Sequence, residues 1–198
     1  MKSTLSPVIR VIEEKCVNCH KCIAVCPVKA CNDGSGNHVS VNADLCIGCG
    51  ACVKECSHGA REGIDDSAEF FKDLAARKPV VAIVAPAVTA SFGQEYLKIN
   101  TLLKNLGAKA VFDVAFGAEL TVKSYLDELE KEDVKCVIAQ PCPALVTFAE
   151  LYEPGLLKYF AKVGSPMDHT VKMIRASFPE YRDCAIAAIS PCFAKKRE

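Results

Sequence analysis

Eight of the thirteen cysteines stand in two copies of one spacing, Cys-x2-Cys-x2-Cys-x3-Cys. The first copy is Cys16, Cys19, Cys22 and Cys26, and the second is Cys46, Cys49, Cys52 and Cys56. Clustered thiolates are the ligands that iron–sulfur clusters select. A 4Fe–4S cubane presents four iron corners, each wanting one sulfur. Three cysteines on a tightly wound loop turn toward three corners, and the fourth ligand comes from the other copy, as in the bacterial two-cluster run. The spacing therefore predicts one cluster on Cys16, Cys19, Cys22 and Cys56. It predicts a second on Cys46, Cys49, Cys52 and Cys26. Pro27 gives the first copy the Cys-Pro ending of such runs, where the second copy has Ser57. Gly48 and Gly50 suit backbone that wraps closely around a cluster and offers amides to its sulfides.

Other chemistries fit these cysteines less well. Zinc sites use two well-separated ligand pairs, commonly with histidine, whereas here three cysteines crowd into each loop. Cys16-Val-Asn-Cys19-His20 matches the haem-attachment pattern, but Cys22 and the internal repeat account for the same residues, leaving His20 as a loop residue. A disulfide framework is disfavoured by the odd cysteine total and by the absence of a secretory segment ahead of the repeat. Thiol-rich sequence of this kind points to a reducing cytoplasm. Cys31 has no place in either ligand set and reads as a buried or half-buried thiol. His38, His58 and His169 lack ligand spacing.

The elements that position the cysteines follow from pattern. Val8 to Glu13 and Val39 to Val41 read as short strands leading into the two loops, with a turn cluster at Asn32 to Asn37. Met1 to Pro7 reads as a frayed start. Gly59 to Asp66 is polar and reads as a boundary, and Ser67 starts a helix through Phe70, Phe71, Leu74 and Ala75. From Pro79 the pattern becomes strand–helix alternation. Strands are expected at Pro79 to Ala85, Lys109 to Val114, Lys135 to Ala139 and Cys184 to Ile189. Helices are expected at Gln94 to Leu106, Gly117 to Glu130, Leu151 to Val163 and Asp168 to Phe178. Such alternation predicts a parallel sheet covered by helices. Three strands run into Ala85-Pro86, Pro141-Cys142-Pro143 and Pro191-Cys192, and sites in open parallel sheets form beyond carboxyl ends.

The 198 residues leave room for one or two domains, and 51% hydrophobic residues supply a core beyond the cysteine module. Lys plus Arg equals Asp plus Glu at 24 each, which gives no electrostatic support to nucleic-acid binding. No apolar run approaches the roughly 20 residues of a membrane span.

Five stretches in order resemble the FeFe hydrogenase family. Val80-Val-Ala-Ile-Val-Ala-Pro86 resembles the strand opening its catalytic domain. Val111-Phe-Asp-Val-Ala-Phe-Gly117-Ala-Glu-Leu-Thr121 resembles its Phe-Asp…Phe-Gly-Ala-Asp-Leu-Thr stretch. Gln140-Pro141-Cys142-Pro143 resembles its first active-site motif, Thr-Ser-Cys-Cys-Pro. Gly164-Ser165-Pro166 resembles its Lys-Ser-Pro, and Pro191-Cys192-Phe-Ala-Lys195-Lys-Arg-Glu198 its second motif, Pro-Cys-x-x-Lys-x-x-Glu. The resemblance implies an α+β, ferredoxin-like dicluster domain at 1–62, a linker helix at 63–78 and a partial α/β hydrogenase catalytic domain at 79–198.

In that family the H-cluster is a cubane on four protein cysteines, bridged to a two-iron centre carrying CO and cyanide. By resemblance, Cys142 and Cys192 are its first and second ligands. Lys195 holds a cyanide of the distal iron, Ala85 and Pro86 line the diiron pocket with Ser165 beside it, and Glu128 lies on the proton path. Tyr125 stands where a second acidic residue is expected. The family's third motif, with the remaining two cysteines, does not occur here; Cys136 and Cys184 instead open expected buried strands. The chain is therefore expected to be an amino-terminal fragment. Pro141 replaces the cysteine whose thiol passes protons in active members, and Gln140-Pro-Cys-Pro resembles the sensory variant. The implied chemistry is H2 = 2 H+ + 2 e−, run or sensed. A ferredoxin-type redox partner or a downstream signalling domain is implied as partner. The alternative is a plain ferredoxin-type electron-transfer module.

Overall fold

The computed structural model describes residues 5–131 and 136–198. Of the start expected to fray at Met1 to Pro7, residues 1–4 lie outside the described residues, as does Lys135 at the start of the expected third strand, whereas Leu5 N donates to Asp44 Oδ1 at 2.9 Å and Ser6 O accepts from Arg197. By contacts the chain divides into two units, one of residues 5–65, 142–158 and 192–198, the other of 66–131, 136–141 and 159–191. The segments 142–158 and 192–198, which motif order assigns to the second domain, thus group with the cysteine repeat.

In the first unit, β1 (Ile9–Val11) leads into the first cysteine loop and α1 (Lys21–Ala24) follows it. Then come β2 (Asn32–Asp33), β3 (Ser40–Val41), α2 (Ala51–Glu55) after the second loop, and β4 (Arg61–Gly63). β1 pairs antiparallel with β4 in the register Ile9↔Gly63 and Val11↔Arg61, and β2 pairs antiparallel with β3. β4 falls where the sequence reads as a polar boundary. It is too short to show an apolar alternation, and its central Glu62 faces outward to pair with Arg10. One buried cluster here is Val8, Ile9, Cys26, Cys31 and Cys46, and three of its five residues are cysteines.

The second unit starts with α3 (Ser67–Ala75), followed by β5 (Val80–Val84), α4 (Thr89–Phe92), α5 (Tyr96–Asn105), β6 (Ala110–Asp113) and α6 (Ala115–Lys131). After α7 (Pro143–Tyr152), which belongs to the first unit, come α8 (Pro166–Ser177) and β7 (Ala185–Ile189). The sheet is parallel throughout, in the order β6-β5-β7. β5 is central and buried on both faces, which its unbroken apolar run requires. Successive side chains point to opposite sides: Val81 and Ile83 pack with Val114, Ile174 and Cys184, while Ala82 and Val84 pack with Val88, Leu103 and Ala108.

Two expected elements differ. The strand at Lys135 to Ala139 is not formed over its described part, where a single bridge joins Ile138 to Phe160. Cys136, expected in a buried strand, is exposed. The helix expected at Leu151 to Val163 lies earlier, as α7, with a 3-10 turn at Pro154–Tyr159 after it. Pro143 sets this start: proline is pre-organised for the first helical turn and needs no donor there.

Candidate metal centres

The eight repeat cysteines line two cavities, each drawing three from one copy and one from the other. One is lined by Cys16, Cys19, Cys22 and Cys56. The other is lined by Cys46, Cys49, Cys52 and Cys26, with Cys31 beside them. Backbone amides turn to the sulfurs: Val39 N lies 3.5 Å from Cys16 Sγ, Gly48 N 3.3 Å from Cys46 Sγ, and Ala60 N 3.3 Å from Cys56 Sγ. Donors around clustered thiolates are what a negatively charged iron–sulfur group requires. The residues present therefore fit such a group in both cavities.

The loops are conformational copies. Asn18 and His20 have φ of 51° and 61°, and their counterparts Gly48 and Gly50 have 74° and 78°. Lys29 at 53° is matched by Gly59 at 60°. The left-handed region costs little for glycine and is tolerated by asparagine. In the first copy the strain is held by hydrogen bonds, with Asn18 Nδ2 donating to the carbonyls of Gly34 and Gly36 at 3.1 and 2.9 Å.

The thiols are not alike. The Cys31 thiol, donating to Cys46, favours the Cys46 thiolate and, against burial, brings its pKa down to about 6; the Gly48 amide and the Arg197 and Arg61 charges add to this. Cys31 is correspondingly held as a thiol, by that same bond and by burial. Burial lifts Cys52 to about 11. At Cys56 burial raises the pKa, but the amides of Ala60, His58 and Arg61 outweigh it and the net shift is downward.

Both motif cysteines of the later chain belong to this unit, and the segments that follow them dock on the second loop. After Cys142, α7 places the Tyr152 hydroxyl 2.6 Å from the carbonyl of Leu45. After Cys192, Phe193 lies so close to Gly50 and Gly63 that a Cβ at either would stand 2.6 or 2.1 Å from its ring. Ala194 closes on Gly48, and Arg197 donates to the carbonyls of Ser6, Ala43 and Cys46 at 3.0, 3.2 and 2.5 Å. Cys142 and Cys192 themselves are exposed. Lys195 is paired with Glu198. Sequence reasoning missed Arg197, Tyr152 and Phe193, because nothing in their spacing marks a distant loop as partner.

In the second unit, Ala85 and Pro86 stand at the carboxyl end of β5, where Ala85 N donates to Ile189 O at 2.9 Å. Ser165 is the N-cap of α8, its hydroxyl accepting from Asp168 N at 3.2 Å. Glu128 accepts the Lys162 amide with both oxygens at 3.0 and 3.1 Å. Tyr125 donates to Gln140 Oε1 at 2.7 Å. Gly117 lets α6 and α8 approach, since a Cβ there would meet Pro166 O at 1.9 Å, and the Thr121 hydroxyl donates to Gly117 O at 2.9 Å.

Fold and site together define a protein with a dicluster-type cysteine module joined to a parallel α/β unit. Residues 78–198, more than half of the chain, match the family "Iron only hydrogenase large subunit, C-terminal domain", and residues 8–57 match "4Fe-4S dicluster domain". The chain belongs to the iron-only hydrogenase family. Among curated relatives, an NADP-reducing hydrogenase subunit HndD of Solidesulfovibrio fructosivorans is 27% identical over 93% of this chain and 38% of its own length. A cytosolic Fe-S cluster assembly factor NAR1 of Eremothecium gossypii is 27% identical over 81% of this chain and 38% of its own length. The chain thus spans under two fifths of these relatives. A solved FeFe-hydrogenase, from work on oxygen inactivation through its H cluster 2Fe subcluster, superposes with a TM-score of 0.54 at 23% identity, covering 67% of this chain and 40% of that one. This protein is an iron–sulfur electron-transfer protein related to FeFe hydrogenases and to NAR1.

Proposed function

We propose that each cavity holds one 4Fe–4S cluster and that the pair relays electrons to or from an H-cluster-type site, where H2 = 2 H+ + 2 e− is run or sensed. The carrying observation is that each cavity is lined by three cysteines of one copy and the fourth of the other, with Cys31 as a fifth in the second. The Cys142 and Cys192 segments both anchor on the second loop, which supports a relay through that cavity. Cys142 and Cys192 supply two ligands of the H-cluster cubane, and the group itself, when bound, supplies the hydrogen chemistry. Around it, Lys195 offers a cation to an anionic ligand, Ala85, Pro86 and Ser165 line the diiron pocket, and Glu128 passes protons. The scheme is a dicluster domain at 1–62, a linker at 63–78 and a hydrogenase-like domain at 79–198. A ferredoxin-type partner or a signalling domain exchanges the electrons, in the cytoplasm.

Pro141 favours sensing over fast turnover. It has no proton to give beside Cys142, and a missing acid–base group costs about 10²–10⁴-fold in rate. The test is anaerobic reconstitution with iron counting. About eight irons per chain are expected for two cubanes, and a colourless, iron-free product overturns the reading. The H-cluster needs the third motif's two cysteines as well, so infrared bands of CO and cyanide are expected after maturation of a longer chain that supplies them. Their absence from a chain that carries its iron supports a second reading, service in iron–sulfur assembly. That reading is favoured by Pro141 and by the NAR1 match over 81% of the chain.

A further inference from the structure

The thirty-residue relation between the copies holds in the backbone as far as Lys29 and Gly59. Carried two residues further, it pairs Cys31 with Arg61. Both side chains are buried, at 3% and 4% exposure, and each lines one cavity. Cys31 Sγ lies 3.4 Å from Cys26 Sγ in the second. Arg61 Nη2 lies 3.2 Å from Cys22 Sγ in the first, and donates also to Val39 O at 3.0 Å. Arg61 Nη1 is buried with no hydrogen-bond partner among the described residues. Equivalent positions therefore set a cysteine against one group of sulfurs and a permanent cation with an unused donor against the other. A buried charge with an unmet donor is unfavourable unless an anionic group meets it.

We infer that Arg61 makes the two centres electrically unequal: its guanidinium stabilises the added negative charge when the first cavity takes an electron, so that cavity has the higher reduction potential. This rests on the two-cluster reading above. The transfer is of one electron, lost from the second cavity and gained by the first, with no proton or other reactant. Hydrogen bonds and net charge at the sulfurs set cluster potentials. Arg197 is the competing cation near the second cavity, but its donors go to the carbonyls of Ser6, Ala43 and Cys46. Arg61 also acts on Cys46, Cys52 and Cys56. Its contact, however, is with Cys22, and Coulomb interactions weaken with distance.

The test is an EPR-monitored reductive titration, with dithionite, of the reconstituted full chain, in wild type, Arg61→Met, Arg61→Lys and Arg197→Met. Wild type is expected to show two one-electron steps separated by tenfold or more in reduction constant, equivalent to 59 mV for one electron. Arg61→Met lowers the higher step by at least tenfold, Arg61→Lys by less, and Arg197→Met leaves it in place. If Arg61→Met does not retain its iron, ¹⁵N-arginine labelling of the otherwise unaltered chain replaces it. A nitrogen coupling on the centre reduced first, surviving Arg197→Lys, is then expected. With the iron count at eight, coincident steps, an unmoved higher step or an absent coupling overturns the inference alone. A chain without iron overturns the cluster reading beneath it.

Discussion

At the level of single residues, the cysteine spacing carried nearly all the information about the cavities. The fourth cysteines, Cys26 and Cys56, line the cavities that the spacing assigns to them. Gly48 and Gly50 announced their left-handed backbone. Asn18 and His20 adopt the same conformation without announcing it, because their side chains do not mark the region as glycine does. Gly50 has a second duty that no local pattern reveals, since it leaves room for the Phe193 ring. Gly50→Ala must hold alanine at φ 78° and displace that ring. The expected loss is about 1–3 kcal/mol, read as a lowered midpoint in anaerobic thermal unfolding of the reconstituted protein. Cys49→Ala is expected to lose or convert one cluster, seen as a fall in iron content and in visible absorbance. Cys142 lines neither cavity, and Cys142→Ala is expected to keep both clusters' absorbance.

At the level of elements, long periodic segments were legible and short ones were not. β5 declared itself by an unbroken apolar run because both of its faces are covered. β4 has three residues, two of them charged, and Arg61 points inward for electrostatic reasons that hydrophobic periodicity cannot register. The strand expected at Lys135 to Ala139 failed for the converse reason: a short apolar run fits a single bridge against Phe160 as well as a ladder. α8 shows how one motif can serve structure. Ser165 caps it and Pro166 opens its first turn, so Ser165→Ala is expected to cost about 1 kcal/mol, measurable by chemical denaturation. Tyr152→Phe removes the bond from α7 to Leu45 O. The expected loss is about 1 kcal/mol, with faster amide exchange around the second loop as the readout.

At the level of the whole molecule, the two units differ in what holds them. The second has a sheet with apolar residues on both faces. In the first, one buried cluster is Val8, Ile9, Cys26, Cys31 and Cys46, three of them cysteines, so metal binding by the cysteines and folding are coupled there. Chelating the iron under anaerobic conditions is therefore expected to erase amide protection across β1 to β4. β5 at Val80–Val84 is expected to stay protected, and equal loss in both would show that the sheet also depends on metal. Composition and alternation made the two kinds of stability visible in advance. The return of 142–158 and 192–198 to the first unit was not visible, because contacts between segments so far apart in sequence leave no periodic trace.

That return sets an order of events during synthesis. The cysteine loops leave the ribosome early, yet Phe193 and Arg197, which close over the second of them, are about 130 residues behind β4. At the 5–20 residues per second typical of translation, the interval is on the order of ten seconds. Throughout it the second loop stands uncovered to whatever delivers iron and sulfide, and its lid arrives only when residues 193–197 have been made.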